Sequence, residues 1–170
     1  MPQEGGVRIE PLSAHHDRDG FACGEAALDL YIRTQAGQDD RRGMSRIFVA
    51  VEETGKRVVG FYTLSAAGIA AVSLPADAIR GLPRYPIPAA LIGRLAVDVT
   101  WHGRGLGNAL LADALNRALV ASDNVAIRVV VVDAKNDTAR AFYEHFGFRP
   151  LTDDARRLFM ILTPAHRKTR

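Results

Sequence analysis

Hydrophobic positions fall in short runs whose period changes along the chain. Val7 to Leu12 alternates weakly and halts at Pro11-Leu-Ser, which predicts a first strand. Glu25 to Gln38 carries Ala26, Leu28, Leu30, Tyr31 and Ile32, a helix with a mixed apolar face. Asp39 to Gly43 is a polar break. Arg46 to Glu52 and Val58 to Ala67, joined by the turn Glu53-Thr-Gly-Lys56, predict an antiparallel hairpin. Leu74 to Pro88 holds prolines at 75, 83, 86 and 88, so it reads as irregular with a short helix at Ala76 to Arg80. Ala89 to Val99 is the fourth strand. Leu106, Leu110, Leu111, Ala114, Leu115 and Ala118 then fall at helical spacing to about Ala121. Val125 to Asp133 is a buried fifth strand. Asn136 or Asp137 caps a helix running to about His145, which Gly147 stops. Phe148 to Leu151 and Leu158 to Leu162 are the last strands.

A hairpin followed by a βαβ crossover predicts an α/β (α+β) fold: a mixed, mostly antiparallel sheet with helices on its faces. The 170 residues suit one domain, 1–170, with no linker or repeat dividing it. No apolar run approaches the roughly 18 residues of a membrane span. Met1 to Gly6 is neither basic nor apolar, so no secretory leader is expected. The single cysteine, Cys23, rules out an internal disulfide and fits cytoplasmic residence. The net charge of +3 does not by itself demand nucleic acid. Arginines do cluster, at 41, 42 and 46, at 80 and 84, at 156 and 157, and with Lys168 at 167 and 170. Arginine suits bidentate phosphate contacts.

Between the fourth strand and the helix at Leu106 lies His102-Gly103-Arg104-Gly105-Leu106-Gly107. Glycine lets backbone N–H groups approach a ligand closely, and a helix N-terminus adds unpaired donors and a positive dipole end. The turn therefore reads as a phosphate cradle. It lacks the Gly-Lys-Ser/Thr of a P-loop, and its alternating glycines are not G-x-G-x-x-G. It resembles the pyrophosphate loop of the GCN5-related N-acetyltransferases, Q/R-x-x-G-x-G/A, with His102 in place of the usual Gln or Arg. A second segment, Asp133 to Phe148, resembles that family's "N…A..FY...GF" pattern through Asn136, Ala139, Phe142, Tyr143, Gly147 and Phe148.

The resemblance implies the acetyltransferase fold, with the sheet splayed between strands 4 and 5 and acetyl-CoA as cosubstrate. Backbone groups of Leu95, Ala96 and Val97 would bond the pantetheine arm, with Asn136 near it. The turn from His102 and Gly103 through Arg104, Gly105, Leu106 and Gly107 to Asn108 would hold the pyrophosphate. Tyr143, which keeps its proton at neutral pH, would act as general acid toward the CoA thiolate; His145 is the next candidate. Asp98 reads as a brace or turn starter, so no carboxylate is an evident general base. An α-amine beside an ester needs little help, because its pKa already lies below the usual 7.7–8.0. A backbone N–H of the fourth strand would stabilise the oxyanion. No metal is implied.

Several pieces resemble one branch, the acetyltransferase toxins of bacterial toxin–antitoxin pairs. They are Phe21-Ala-Cys-Gly24 with Leu28-Asp29, Gly60 to Ser65, Leu82 to Pro88, Arg94 to Asp98, and Asp133 to Lys135. In that branch His is familiar at position 102. The resemblance implies acetylation of aminoacyl-tRNA, a cognate ribbon-helix-helix antitoxin, operator DNA bound only through that antitoxin, and a homodimer. Arg46, Arg80, Arg84, Arg94 and Arg157 are the expected tRNA contacts. An acetyltransferase of a small amine or a protein N-terminus is the alternative, and a CoA-binding interaction domain with a dead site is the non-enzymatic one.

Overall fold

The computed structural model describes residues 6–163. The basic cluster Arg167, Lys168 and Arg170 lies outside the described residues. Strands β1 (Val7–Pro11), β2 (Arg46–Glu52), β3 (Val58–Ile69), β4 (Ile87–Val97), β5 (Val129–Asp133), β6 (Arg149–Pro150) and β7 (Arg157–Ile161) form one sheet in the order β1-β2-β3-β4-β5-β7-β6. Pairs β1/β2, β2/β3, β5/β7 and β6/β7 are antiparallel, and β4/β5 is parallel. The helices are α1 (Ala26–Leu30), α2 (Ala36–Arg41), α3 (Ala76–Ile79), α4 (Leu106–Ala121) and α5 (Asp137–Phe146). Helix α4 is the crossover between the two parallel strands. No helix among the described residues is long and apolar enough to cross a membrane.

The chain divides into two compact units, one comprising residues up to Ser65 with Gly93–Ala114 and the other Ala66–Ile92 with Leu115 onward. The first has its core around Phe21, Tyr31, Ile32, Ile47, Val49 and Phe61. In it, Gly60 on β3 lets α4 approach: a Cβ there would meet Leu110 Cδ1 at 2.9 Å and Leu106 Cδ2 at 3.2 Å. The second has its core around Ile69, Leu74, Ile87, Val129, Val131 and Phe159.

Three of the differences from the sequence pattern bear on the site. The expected helix from Glu25 to Gln38 is broken by a π-helical turn, Tyr31–Gln35, and resumes as α2 through the supposed polar break to Arg41. Strand β5 starts at Val129 rather than Val125. The parallel ladder begins at Ala89↔Val129, since Pro88 has no N–H to offer; its carbonyl accepts from Arg128 N–H (2.8 Å). Strand β4 ends at Val97 instead of Val99, because Asp98 caps a 3₁₀ turn over Val99–Trp101. The β4/β5 ladder itself stops at Ile92↔Val132, while β4 continues to Val97.

Candidate active site

In the first unit, the approach to the glycine turn is built on Asp98. Its carboxylate is 2% exposed, so it needs partners, and it has four. The Thr100 N–H (2.9 Å), the Thr100 hydroxyl (2.7 Å) and Arg57 Nη2 (3.2 Å) donate to Oδ1, and the Ala22 N–H (3.1 Å) donates to Oδ2. Burial alone would raise its pKa. The Thr100 and Ala22 N–H groups, the Thr100 hydroxyl and the Arg57 guanidinium outweigh that and hold it below the usual carboxylate value. A carboxylate so engaged is no general base. The sequence suggested a brace, and Asp98 is one: it ties the loop at Ala22 to the start of the turn.

Beyond it, Gly103 and Gly105 take φ of 74° and 83°. A Cβ at either would meet nothing within 4 Å, so it is the left-handed backbone that requires glycine there. Open space, left-handed glycines and the N-terminus of the 16-residue α4 fit a pyrophosphate. His102 turns back: its Nε2–H donates to the Val97 carbonyl at 2.8 Å, closing the turn onto β4. The side chain that departs from the usual loop pattern thus serves the loop's own shape. Arg104 lies over the Trp101 ring, its guanidinium carbon 3.7 Å from the centroid. Leu106 is buried, Gly107 half-buried and Asn108 exposed in the first turn of α4. On β4, Ala96 is buried and Leu95 and Val97 are half-buried.

The second unit carries the aromatic segment. Asn136 Oδ1 accepts the Ala139 N–H at 2.8 Å, capping α5 as its sequence suggested. Gly147, at φ 114°, ends the helix, with Gly147 N–H bonded to Glu144 O and Phe148 N–H to Tyr143 O, each at 3.0 Å. Tyr143 is fixed within this closure. It is 4% exposed, and edge contacts with Phe142 and Phe148 hold the ring. No described residue hydrogen-bonds its hydroxyl. Among the described residues no sealed side-chain polar atom lacks a partner, so this oxygen reaches solvent. Burial, then the Asp133 carboxylate, pushes the phenol pKa above its ordinary value. The group therefore keeps a proton that it can donate. His145 is exposed in the last turn of α5.

The five arginines differ in what holds them. Arg46 Nη1 pairs with Asp40 Oδ1 (2.9 Å), and Arg157 forks onto Asp133 (2.8 and 3.3 Å). Such partly exposed pairs contribute about 0–1 kcal/mol, so phosphate can compete for them. Arg80 and Arg84 are exposed in the proline-rich segment and have no carboxylate partner within 4.0 Å among the described residues. Arg94 is half-buried, its guanidinium 3.7 Å over the ring of Tyr31. Sequence reasoning missed Tyr31, which it had placed only on a mixed apolar face.

Glu10, His15 and His16 bring ligand-type atoms within 4.8 Å of one another. Their hydrogen bonds speak against a cation. The Ser13 N–H donates to His16 Nδ1 (3.0 Å), so the ring proton is on Nε2, which donates to Glu10 Oε2 (2.6 Å). His16 could ligate through Nε2 only by giving up its last ring proton.

Residues 43–150 match the acetyltransferase (GNAT) domain family. The chain belongs to this acetyltransferase family. A tRNA-acetylating toxin of Mycobacterium tuberculosis (strain ATCC 25618 / H37Rv) is 40% identical over 154 residues, 91% of each chain. Among solved structures, AtaT complexed with acetyl-methionyl-tRNAfMet superposes with a TM-score of 0.89 at 31% identity, covering 97% of this chain and 100% of that one. A Tyr-to-Phe mutant of AtaT, bound to the C-terminus of the antitoxin AtaR and to acetyl-CoA, gives 0.80 at 31% identity over 92% and 93%. As a GNAT acetyltransferase, the protein matches its family over a span that includes the turn His102–Gly107 and the segment Asn136–Phe148.

Proposed function

We propose that this GNAT acetyltransferase is a toxin that transfers the acetyl group of acetyl-CoA to the α-amine of aminoacyl-tRNA and so blocks translation. The observation that carries the acceptor is the likeness, over nine-tenths of both chains, to a tRNA-acetylating toxin. Acetyl-CoA supplies an acetyl group activated as a thioester. Backbone N–H groups from Gly103 to Gly107 hold its pyrophosphate, with His102 shaping the turn and Arg104, Leu106 and Asn108 bordering it. The backbone of Leu95, Ala96 and Val97, with Asn136, receives the pantetheine. Tyr143 keeps its proton on the hydroxyl oxygen and gives it to the departing sulfur. Asp98 accepts four hydrogen bonds and so takes no proton, which suits an amine whose pKa the adjoining ester has already lowered.

Arg46, Arg80, Arg84, Arg94 and Arg157 contact tRNA phosphates, chiefly by shape and charge. The whole chain, 1–170, works as one cytoplasmic catalytic domain and as a homodimer. A ribbon-helix-helix antitoxin neutralises it, and operator DNA is bound only through that partner. Support for the antitoxin comes from the AtaT–AtaR complex. The direct test is mass spectrometry of the nucleotide-linked amino acid after incubation with charged tRNA and acetyl-CoA. Acetyl groups found only on free amines or protein N-termini would reject tRNA as acceptor.

A further inference from the structure

We propose that Arg94 is a seat for one phosphate oxyanion of the acceptor and that Tyr31 is its positioning residue; the inference rests on charged tRNA being that acceptor.

Arg94 has the chemistry of an unfinished ion pair. Its backbone N–H is anchored on Thr63 Oγ1 at 3.1 Å, and its guanidinium carbon stands 3.7 Å over the Tyr31 ring. Among the described residues it has no carboxylate within 4.0 Å and no acceptor for its guanidinium N–H groups. A half-buried cation without an anion is a poor way to stabilise a fold. A leucine or methionine would cover Tyr31 without the desolvation cost of a charge. What the arrangement does provide is a guanidinium with one face fixed on a ring and its N–H edges unspent. Such a fork fits the geometry of a phosphate.

Tyr31 is held unusually firmly for this purpose. It is 3% exposed, stacks at 21° to Phe61 with 6.2 Å between centroids, and donates its hydroxyl hydrogen to Asp39 Oδ2 at 2.7 Å. Tyr31 opens the π-helical turn Tyr31–Gln35 that interrupts the helix. On a straight α-helix, residues eight apart are separated by about 12 Å along the axis. The wider, shorter π turn, and the return to α-helix after Gln35 (φ −115°), bring Asp39 within reach of the hydroxyl. π turns inside helices recur at functional sites. Here the irregularity sets the ring on which Arg94 lies.

The same oxyanion chemistry could come from a tRNA phosphodiester or from the phosphates of CoA, and the two are separable. Steady-state kinetics with charged tRNA would be run alongside calorimetry with acetyl-CoA, on wild type, Arg94→Lys, Tyr31→Leu and Tyr31→Phe. Arg94→Lys keeps the charge but loses fork and stack. It should raise KM for charged tRNA about tenfold, with kcat and acetyl-CoA affinity within about twofold. Tyr31→Leu should do the same. Tyr31→Phe, which keeps the ring but loses the Asp39 bond that fixes it, should raise KM for charged tRNA by less than Tyr31→Leu does. An unchanged KM in Arg94→Lys overturns the seat, whether or not Tyr31→Leu folds. Weakened acetyl-CoA binding with unchanged tRNA KM overturns it too, by moving the phosphate to CoA. If wild type leaves charged tRNA untouched, the acceptor reading has failed instead. Uncharged tRNA then decides the seat: Arg94→Gln should weaken its binding and lower the salt slope by roughly the 0.7–0.9 of one phosphate. Unaltered affinity and slope would overturn it.

Discussion

Replacing Asp98 by asparagine should separate the two jobs of this carboxylate. Oδ1 receives three donors, two from Thr100 and one from Arg57, while Oδ2 receives only the Ala22 N–H. The asparagine amide nitrogen therefore goes where Oδ2 was, opposing the fewest donors. The Thr100 bonds survive and the 3₁₀ turn stays capped. The Ala22 N–H then faces another N–H donor, which costs about 1–3 kcal/mol. The bond from Arg57, whose side chain is 38% exposed, adds less than about 1 kcal/mol. Asp98→Asn should thus lose about 1–4 kcal/mol in urea unfolding, while acetyl-CoA affinity falls no more than about threefold. Asp98→Ala also loses the cap, worth about 0.5–2 kcal/mol, and should weaken acetyl-CoA about tenfold as the turn loosens. The pH dependence has a definite sign. The folded pKa is depressed, so wild-type Asp98 stabilises above its unfolded value near 4, and that contribution is lost as pH falls through the folded pKa. Asp98→Asn should flatten that part of the acid limb. A variant as stable as wild type at pH 7, with the acid limb unchanged, would refute this account of the turn.

Tyr143→Phe keeps the packed ring and deletes the proton donor; turnover should fall by roughly 10²–10⁴ with little change in acetyl-CoA affinity. Because burial and Asp133 raise this phenol, wild-type turnover should show no alkaline loss from Tyr143 up to the ordinary tyrosine value near 10; a midpoint well below that would assign the proton to another group. Gly105→Ala strains a residue at φ 83° without a clash and should weaken acetyl-CoA modestly, whereas Gly105→Asp adds a charge against the pyrophosphate and should abolish measurable binding by calorimetry. Equal affinities for wild type and Gly105→Asp would remove the cradle from the cofactor site. Arg84→Glu with Arg157→Glu should reduce tRNA acetylation and flatten its salt dependence while acetyl-CoA binding persists; Arg84 should carry more of the effect, since Arg157 already holds Asp133.

Much of this was legible in the chain because the signals were local. The Leu95–Val97 run, the glycines at 103 and 105, the cap at Asn136 and the stop at Gly147 act through backbone conformation within a few residues, and the structure has each where the pattern put it. The β2–β3 hairpin and the α4 crossover followed from periodicity for the same reason. What the sequence could not decide depended on partners far along the chain. Asp98 reads as a brace or turn starter, and only Ala22 and Arg57, arriving from other elements, decide what it braces. His102 looks like a ligand contact until the Val97 carbonyl turns out to be its acceptor. Pro88 shortens β5 only because the two strands lie in parallel register. Tyr31 shows no special role in a 3.6-residue period, since a π turn has a different one and its value lies in the arginine that strand β4 lays over the ring. Local rules specify which backbone a residue prefers; only packing specifies which distant donor or charge completes it.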